Sequence, residues 1–217
     1  LSSRRQRQMC IRDRLSGGAD TALLLYLLAK EISERNLNFS IVPYTFNDKP
    51  DRFIVAQNII HEVAKTFPKV KFEKHQYDEI SPPYRKVFDK WALKLTRQYD
   101  IVFFTNGVNL PAPEEAITIN KELAKFVGTR EAPRNYDTQD LERIGIQDIP
   151  EYSPFKDVDK RFTAQLYEDE FLLETLFPLT RSCLGSAEVT DYHEKPCKIC
   201  YWCEEKYWAF GQYDAVG

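Results

Sequence analysis

Four of the five cysteines, Cys183, Cys197, Cys200 and Cys203, crowd toward the C-terminal end as one cysteine followed by a CxxCxxC run. CxxC spacing lets one tight turn present two sulfurs to a single ion, and the further Cys203 lets three converge. Cys183 precedes them by a loop long enough to fold back as a fourth ligand. In a reducing compartment such clustering favours metal over disulfides. Four thiolates suit a closed zinc site, an iron–sulfur cluster could use the same ligands, and buried free cysteines are the bland alternative.

A second constellation is Ser16-Gly17-Gly18-Ala19-Asp20-Thr21, placed directly before a strongly apolar run. It is neither GxGxxG nor GxxxxGK[ST]. One reading is a turn with an ordinary helix cap. The other is an anion nest, where consecutive glycines turn several backbone N–H groups toward a phosphate and the helix N-terminus adds its partial positive charge. Ser16 and Thr21 hydroxyls could add donors.

These residues need elements to hold them. After the glycines, Leu23, Leu24, Tyr26, Leu27, Leu28 and Ile32 predict a buried helix. "FSIVPYTF" (39–46) reads as a strand, 51–66 as a helix, "KVKFEKHQY" (69–77) as a strand and "YRKVFDKWALKLTRQY" (84–99) as a helix. "DIVFFTNGVN" (100–109) is an apolar run closed by a glycine turn, the pattern of a strand covered on both faces. The alternation predicts an α/β fold, a parallel sheet with helices on both faces. Such sheets take ligands at the carboxyl ends of their strands. From 109 to 154 prolines break the pattern. "PEEAITINKELAKF" (113–126) reads as a helix, and the remainder, including the polar stretch 130–143, as loop.

The formal net charge of -3 arises from 30 basic and 33 acidic residues mixed along the chain, so no global field recruits nucleic acid or membrane. The longest apolar run, Ala22 to Ala29, is far short of the roughly 20 residues of a spanning helix. No signal-like segment opens the chain, and a cytoplasmic setting is expected. His61 and His75 fall on helix and strand patterns and read as structural; His193 reads as a bystander in the cysteine loop.

The SGGxD[ST] loop resembles the pyrophosphate loop of the N-type ATP pyrophosphatases, the PP-loop superfamily. "PFKDVDKRFTAQLY" (154–167), "TRSCLG" (180–185) and "PCKICYWCEEKYWAFG" (196–211) follow in an order similar to the 7-cyano-7-deazaguanine synthase family. The resemblance implies a parallel five-stranded Rossmann-like sheet, adenine nucleotide alpha hydrolase-like, with a C-terminal zinc-binding helical element. It implies ATP contacts at Ser16, Gly17, Gly18, Ala19, Asp20 and Thr21 and a phosphate-binding, catalytic Lys160. Asp20 would orient Mg2+, and Cys183, Cys197, Cys200 and Cys203 would hold Zn2+. Positive charge must meet a departing pyrophosphate, and Arg161 and Arg181 are further candidates.

The implied reaction is ATP-dependent ligation: 7-carboxy-7-deazaguanine is adenylylated, ammonia displaces AMP, and the amide is activated again and dehydrated to the nitrile. The implied partners are a deazapurine carboxylate and ammonia, with no membrane, and a homodimer is compatible. The chain has "NGVN" (106–109) but lacks the family's Tyr-Pro-Asp element on the substrate side. A tRNA-modifying relative using the same adenylylation is the alternative, for which the Lys/Tyr/Trp-rich tail would serve. A zinc-stapled binding module without catalysis is the third.

Residues 1–14 are expected to lie outside the fold. "QMCIRDR" looks like the translation of a transposon sequencing adapter, so the first strand is expected to be missing and Cys10 to take no part in the metal site. The expected division is 1–14 non-native, 15–180 an ATP-binding α/β domain and 181–217 the zinc element.

Overall fold

The computed structural model describes residues 9–47, 51–79, 100–105, 107, 109–113, 151–185, 187–191 and 194–215. The helices expected over 84–99 and 113–126, the loop over 130–143, His193 and parts of the "NGVN" turn lie outside the described residues. The chain divides into two units that interleave along the sequence. One comprises Leu1–Ser16, Leu24–Asn106 and Asp140–Ser153, the other Gly17–Leu23, Gly107–Gln139 and Pro154–Gly217.

The first unit is a parallel sheet. Its strands are β1 (Met9–Arg14), β2 (Phe39–Asn47), β3 (Lys71–Phe72), β4 (Gln76–Glu79), β5 (Asp100–Thr105) and β6 (Glu151–Tyr152). Their order is β3-β2-β1-β5-β6, with β4 also on β2, and every pairing is parallel. The expectation of a missing first strand is corrected here, because Met9–Arg14 occupies the centre and pairs with β2 and β5. A ladder is made by backbone groups that any residue supplies, so the charged spelling MCIRDR does not forbid it. Cys10, Ile11 and Asp13 are buried there, and Cys10 Sγ lies 3.0 Å from Ser40 Oγ. Cys10 is not among the four cysteines whose sulfurs converge among the described residues.

The single strand expected at 69–77 is split in two, and Pro43 explains the break. Glu73 N donates to Ile41 O at 2.8 Å, so residues 41, 43 and 45 of β2 turn their backbone groups toward this edge. Proline has no N–H to offer there. β3 pairs with Ser40 and Ile41, the chain loops out past Pro43, and β4 resumes at Tyr44. β3 and β4 therefore share one edge position, and the six strands among the described residues fill five positions. β6, two residues between Pro150 and Pro154, is too short to show a period and lies in a stretch read as loop.

Helix α1 (Ala19–Glu34) buries every residue from Thr21 to Leu25, the expected Leu23 and Leu24 among them, and then Ala29 and Ile32, while Tyr26, Leu27 and Leu28 are half-buried. Helix α2 (Arg52–Thr66) buries Ala56, Ile59 and Val63, and Phe67 beyond it meets Tyr26 edge-on at 5.1 Å. In β2, Ser40 through Phe46 are all buried, which requires cover on both faces. β2 and β5 flank β1 on opposite sides, so strand order reverses at β1. Leu15 and Ser16 leave its carboxyl end at that switch point, where ligands bind such sheets. Leu15 N donates to Tyr44 O at 2.9 Å, and Thr45 Oγ1 donates to Leu15 O at 2.8 Å.

The second unit carries α3 (Lys160–Asp169), a 3-10 turn (Phe177–Leu179), α4 (Ala187–Thr190) and α5 (Tyr201–Phe210). Asp159 caps α3, its carboxylate accepting from Arg161 N at 2.9 Å and Phe162 N at 3.3 Å. The buried stripe of α3 is Lys160, Thr163, Ala164 and Tyr167, headed by a charge. Tyr167, Phe177 and Phe210 pack as an aromatic cluster, and Gly211, left-handed at φ 67°, ends α5. No helix among the described residues is long and apolar enough to cross a membrane.

Candidate nucleotide site and four-cysteine centre

The glycine loop opens α1 with Gly17 at φ 82°, a left-handed conformation that a side chain would strain. Gly18 O accepts from Ala22 N at 3.0 Å and from the Thr21 hydroxyl at 3.1 Å, which starts the helix. Gly17 O accepts from Arg181 N at 2.8 Å, so the segment leading to Cys183 is tied to the loop. Ala19 is fully buried, and Tyr167 OH donates to its carbonyl at 2.9 Å. Ser16 is half-buried ahead of the glycines.

In the first turn of α1, Asp20 gathers a polar cluster. Its Oδ2 lies 2.5 Å from Lys160 Nζ, and its Oδ1 accepts from Asn109 Nδ2 at 3.1 Å. The Thr163 hydroxyl lies 3.0 Å from Asp20 Oδ1 and 2.8 Å from Lys160 O. Lys160 Nζ is also 3.3 Å from Glu205 Oε2. Glu205 Oε1 accepts from Tyr201 OH at 3.0 Å, and that oxygen accepts in turn from Ala112 N at 3.0 Å. Lys160 and Glu205 side chains are 5% and 2% exposed, so this charge network is dry. Burial alone would pull the Lys160 pKa down; the carboxylates of Asp20 and then Glu205 reverse this and hold it above its ordinary 10.5. Lys160 is a fixed cation at the head of α1, where the helix N-terminus already favours anions.

Of the three cations expected near the phosphates, Lys160 alone reaches Asp20. The Arg161 guanidinium lies over the Trp208 ring at 4.4 Å, and Arg181 turns Nη1 toward Pro178 O and Thr180 O. Sequence reasoning missed Gly107, Asn109, Thr163 and Glu205. A Cβ on Gly107 would sit 2.8 Å from both Asp20 C and Thr21 N, so only glycine lets the backbone at 107 approach α1 this closely. A glycine closing the apolar run over 100–105 was a readable signal for it. Glu205 had none, because an acidic residue in a mixed helix reads as a solvated face.

The four cysteine sulfurs all lie within 4.8 Å of one another, and Cys197 Sγ and Cys203 Sγ are 3.9 Å apart. Bonds of about 2.3 Å to one tetrahedral ion put sulfurs about 3.8 Å apart. An iron–sulfur cube would spread them much farther, so the donor set fits one four-coordinate ion. Cys200 stands at the N-cap of α5 and Cys203 in its first turn. Cys183 Sγ accepts from Gly185 N at 3.3 Å and Cys197 N at 3.2 Å. Hydrogen bonds from Cys183, Cys200 and Cys203 hold Cys197 far below the ordinary thiol range, while those with Cys183, Cys197 and Cys200 push Cys203 far above it. Thiols packed this tightly cannot all ionise unless a cation sits among them. Asp214 Oδ2 accepts from Ser182 N at 2.8 Å and Cys183 N at 2.9 Å, and Asp214 Oδ1 meets the buried Lys206 Nζ at 2.5 Å. Outer partners of this kind orient a ligating residue.

No family model and no curated protein matches the chain. A solved structure with a similar backbone path is the U34-tRNA thiolase NcsA from Methanococcus maripaludis with its 4Fe-4S cluster, 15% identical with a TM-score of 0.45. The match covers 76% of this chain and 57% of that one, so the chain spans little more than half of the thiolase's length.

Proposed function

We propose that the chain binds ATP at Ser16, Gly17, Gly18, Ala19, Asp20 and Thr21 and cleaves it between the α and β phosphates, as a PP-loop enzyme does. The observation that carries this is the buried Lys160 ammonium, held against Asp20 at the opening of α1, next to a loop whose Gly17 adopts a left-handed turn. An acceptor oxygen attacks the α-phosphorus, the bond to the bridging oxygen breaks, and pyrophosphate leaves carrying the electron pair. Lys160 meets the charge that develops on that leaving group. Backbone N–H groups of the loop cradle the phosphates, and Asp20 would hold Mg2+, which when bound neutralises part of the triphosphate charge. Cys183, Cys197, Cys200 and Cys203 would hold Zn2+, a closed structural site with no open position for chemistry.

The motif resemblance supports 7-carboxy-7-deazaguanine as acceptor with ammonia as the second nucleophile, yielding 7-cyano-7-deazaguanine. A second reading, a tRNA base as acceptor, is favoured by a stacked aromatic pair on the second unit. Tyr207, 49% exposed, stacks on Tyr213 at 4.7 Å, and Lys198 Nζ lies 5.3 Å from the Tyr213 ring.

The test is ATP–pyrophosphate exchange, followed by AMP release with Mg2+ and either 7-carboxy-7-deazaguanine plus ammonium or tRNA. AMP and pyrophosphate are expected. ADP as product overturns the adenylylation reading, and no exchange and no turnover with either acceptor overturns it in favour of a zinc-stapled binding module.

A further inference from the structure

Two segments that carry metal-ligating cysteines also touch the opening of α1. Two residues beyond Cys203 on α5, Glu205 reaches Lys160, which reaches Asp20. Two residues before Cys183, Arg181 N donates to Gly17 O. A helix rises about 1.5 Å per residue, so Glu205 is displaced only about 3 Å along α5 from the sulfur-bearing Cys203. Whatever fixes the first turn of α5 therefore fixes Glu205.

Glu205 has the features of a purpose-built holder. It is 1% exposed, one carboxylate oxygen faces Lys160, and the other is occupied by Tyr201 OH, which Ala112 N pins in turn. A carboxylate buried for packing alone is costly, and a neutral residue of the same shape would fill the space. Asp20 is the partner Lys160 must release in part when Asp20 turns to a divalent cation. Glu205, with no exposed edge and one oxygen already satisfied, is the partner that stays.

We infer that Glu205 is a positioning residue for Lys160 and that the four-cysteine centre, by seating the first turn of α5, sets the geometry of the nucleotide site. This rests on the ATP reading above. In the resting protein Lys160 bridges Asp20 and Glu205. With nucleotide and Mg2+ present, Glu205 keeps the ammonium aimed at the phosphates while Asp20 is engaged elsewhere. Without Glu205 the ammonium falls back on Asp20 alone, and the two then compete with the ligands they serve.

The experiment compares wild-type protein with E205Q, which preserves volume and the hydrogen bond to Tyr201, in zinc content, thermal midpoint, ATP affinity and pyrophosphate-exchange rate. E205Q is expected to keep its zinc and to lose about tenfold in exchange rate per folded, zinc-loaded chain, the scale of one charge-assisted hydrogen bond. Chelating zinc from wild type is expected to weaken ATP binding, and chelating it from E205Q to weaken ATP binding less, since both act through Lys160. E205Q that retains zinc with an unchanged exchange rate overturns the inference. So does zinc-free wild-type protein that binds ATP as tightly as the loaded form. Wild-type protein that binds no ATP overturns the ATP reading and this inference together, which separates that failure from the first two.

Discussion

Lys160 Nζ lies 2.5 Å from Asp20 Oδ2, across 140 positions of sequence, with both side chains largely withdrawn from water. The contact joins the stripe of α3 to the first turn of α1, and it places the site's fixed cation beside the glycine loop.

Removing the cation should therefore damage stability and chemistry together. K160M leaves Asp20 and Glu205 buried without their counter-charge and should cost about 3–5 kcal/mol in urea unfolding. It should lower pyrophosphate exchange at least about a hundredfold, on the scale of losing one preorganised electrostatic contact. D20N should retain more stability than K160M, because Glu205 still faces Lys160, yet should lose Mg2+-dependent turnover. The raised Lys160 pKa implies that this pairing stabilises the fold fully below about pH 10.5 and is lost only as pH rises through the higher folded value.

The cysteine centre should release close to one zinc per chain on chelation, read with a chromogenic indicator, and the thermal midpoint should fall. C203S should bind metal much more weakly than wild type and should show the same lowered midpoint without chelator. Absorption typical of an iron–sulfur cluster in anaerobically purified protein would contradict the single-ion geometry.

Two glycines should not tolerate a methyl group. G107A forces a Cβ to 2.8 Å from the backbone of Asp20 and Thr21 and should destabilise by about 1–3 kcal/mol, with loss of nucleotide binding. G185A meets Thr190 Cγ2 at 2.7 Å and Cys197 Cβ at 2.8 Å, so its damage should appear in metal affinity. Isothermal titration with ATP and with Zn2+ distinguishes the two.

His75 should give the first unit a pH-dependent stability. Burial lowers its pKa from 6.5 to about 4, and its Nε2 pairs with Thr45 Oγ1 at 2.9 Å while its ring stacks on Phe53. Thr45 spends its only proton on Leu15 O, so Nε2 is the donor, and the lowered pKa keeps the ring neutral near pH 7. Between these pH values the unfolded chain binds more protons than the folded one. The stabilisation is complete above about pH 6.5 and is lost as pH falls through 4. H75Q should flatten that slope in urea midpoints measured at pH 7 and pH 4.5.

What the sequence by itself determined was whatever repeats within one element. The helix of α1, the buried run of β2, the glycine turn and the CxxCxxC spacing are local patterns, and each appears where its residues predicted. The four sulfurs converge because turn geometry and one fold-back loop suffice to bring them together. The tertiary structure decided what depends on neighbours far along the chain. MCIRDR reads as no strand, yet it lies at the sheet's centre because ladder bonds come from backbone groups on both flanks. Pro43 splits the edge strand through a missing N–H that only pairing reveals. Lys160 and Glu205 look like solvated helix charges until α1, α3 and α5 pack and exclude the water that would otherwise hold them apart. The energy of a buried charge is set by its partners, and no periodicity within a single element encodes who they are.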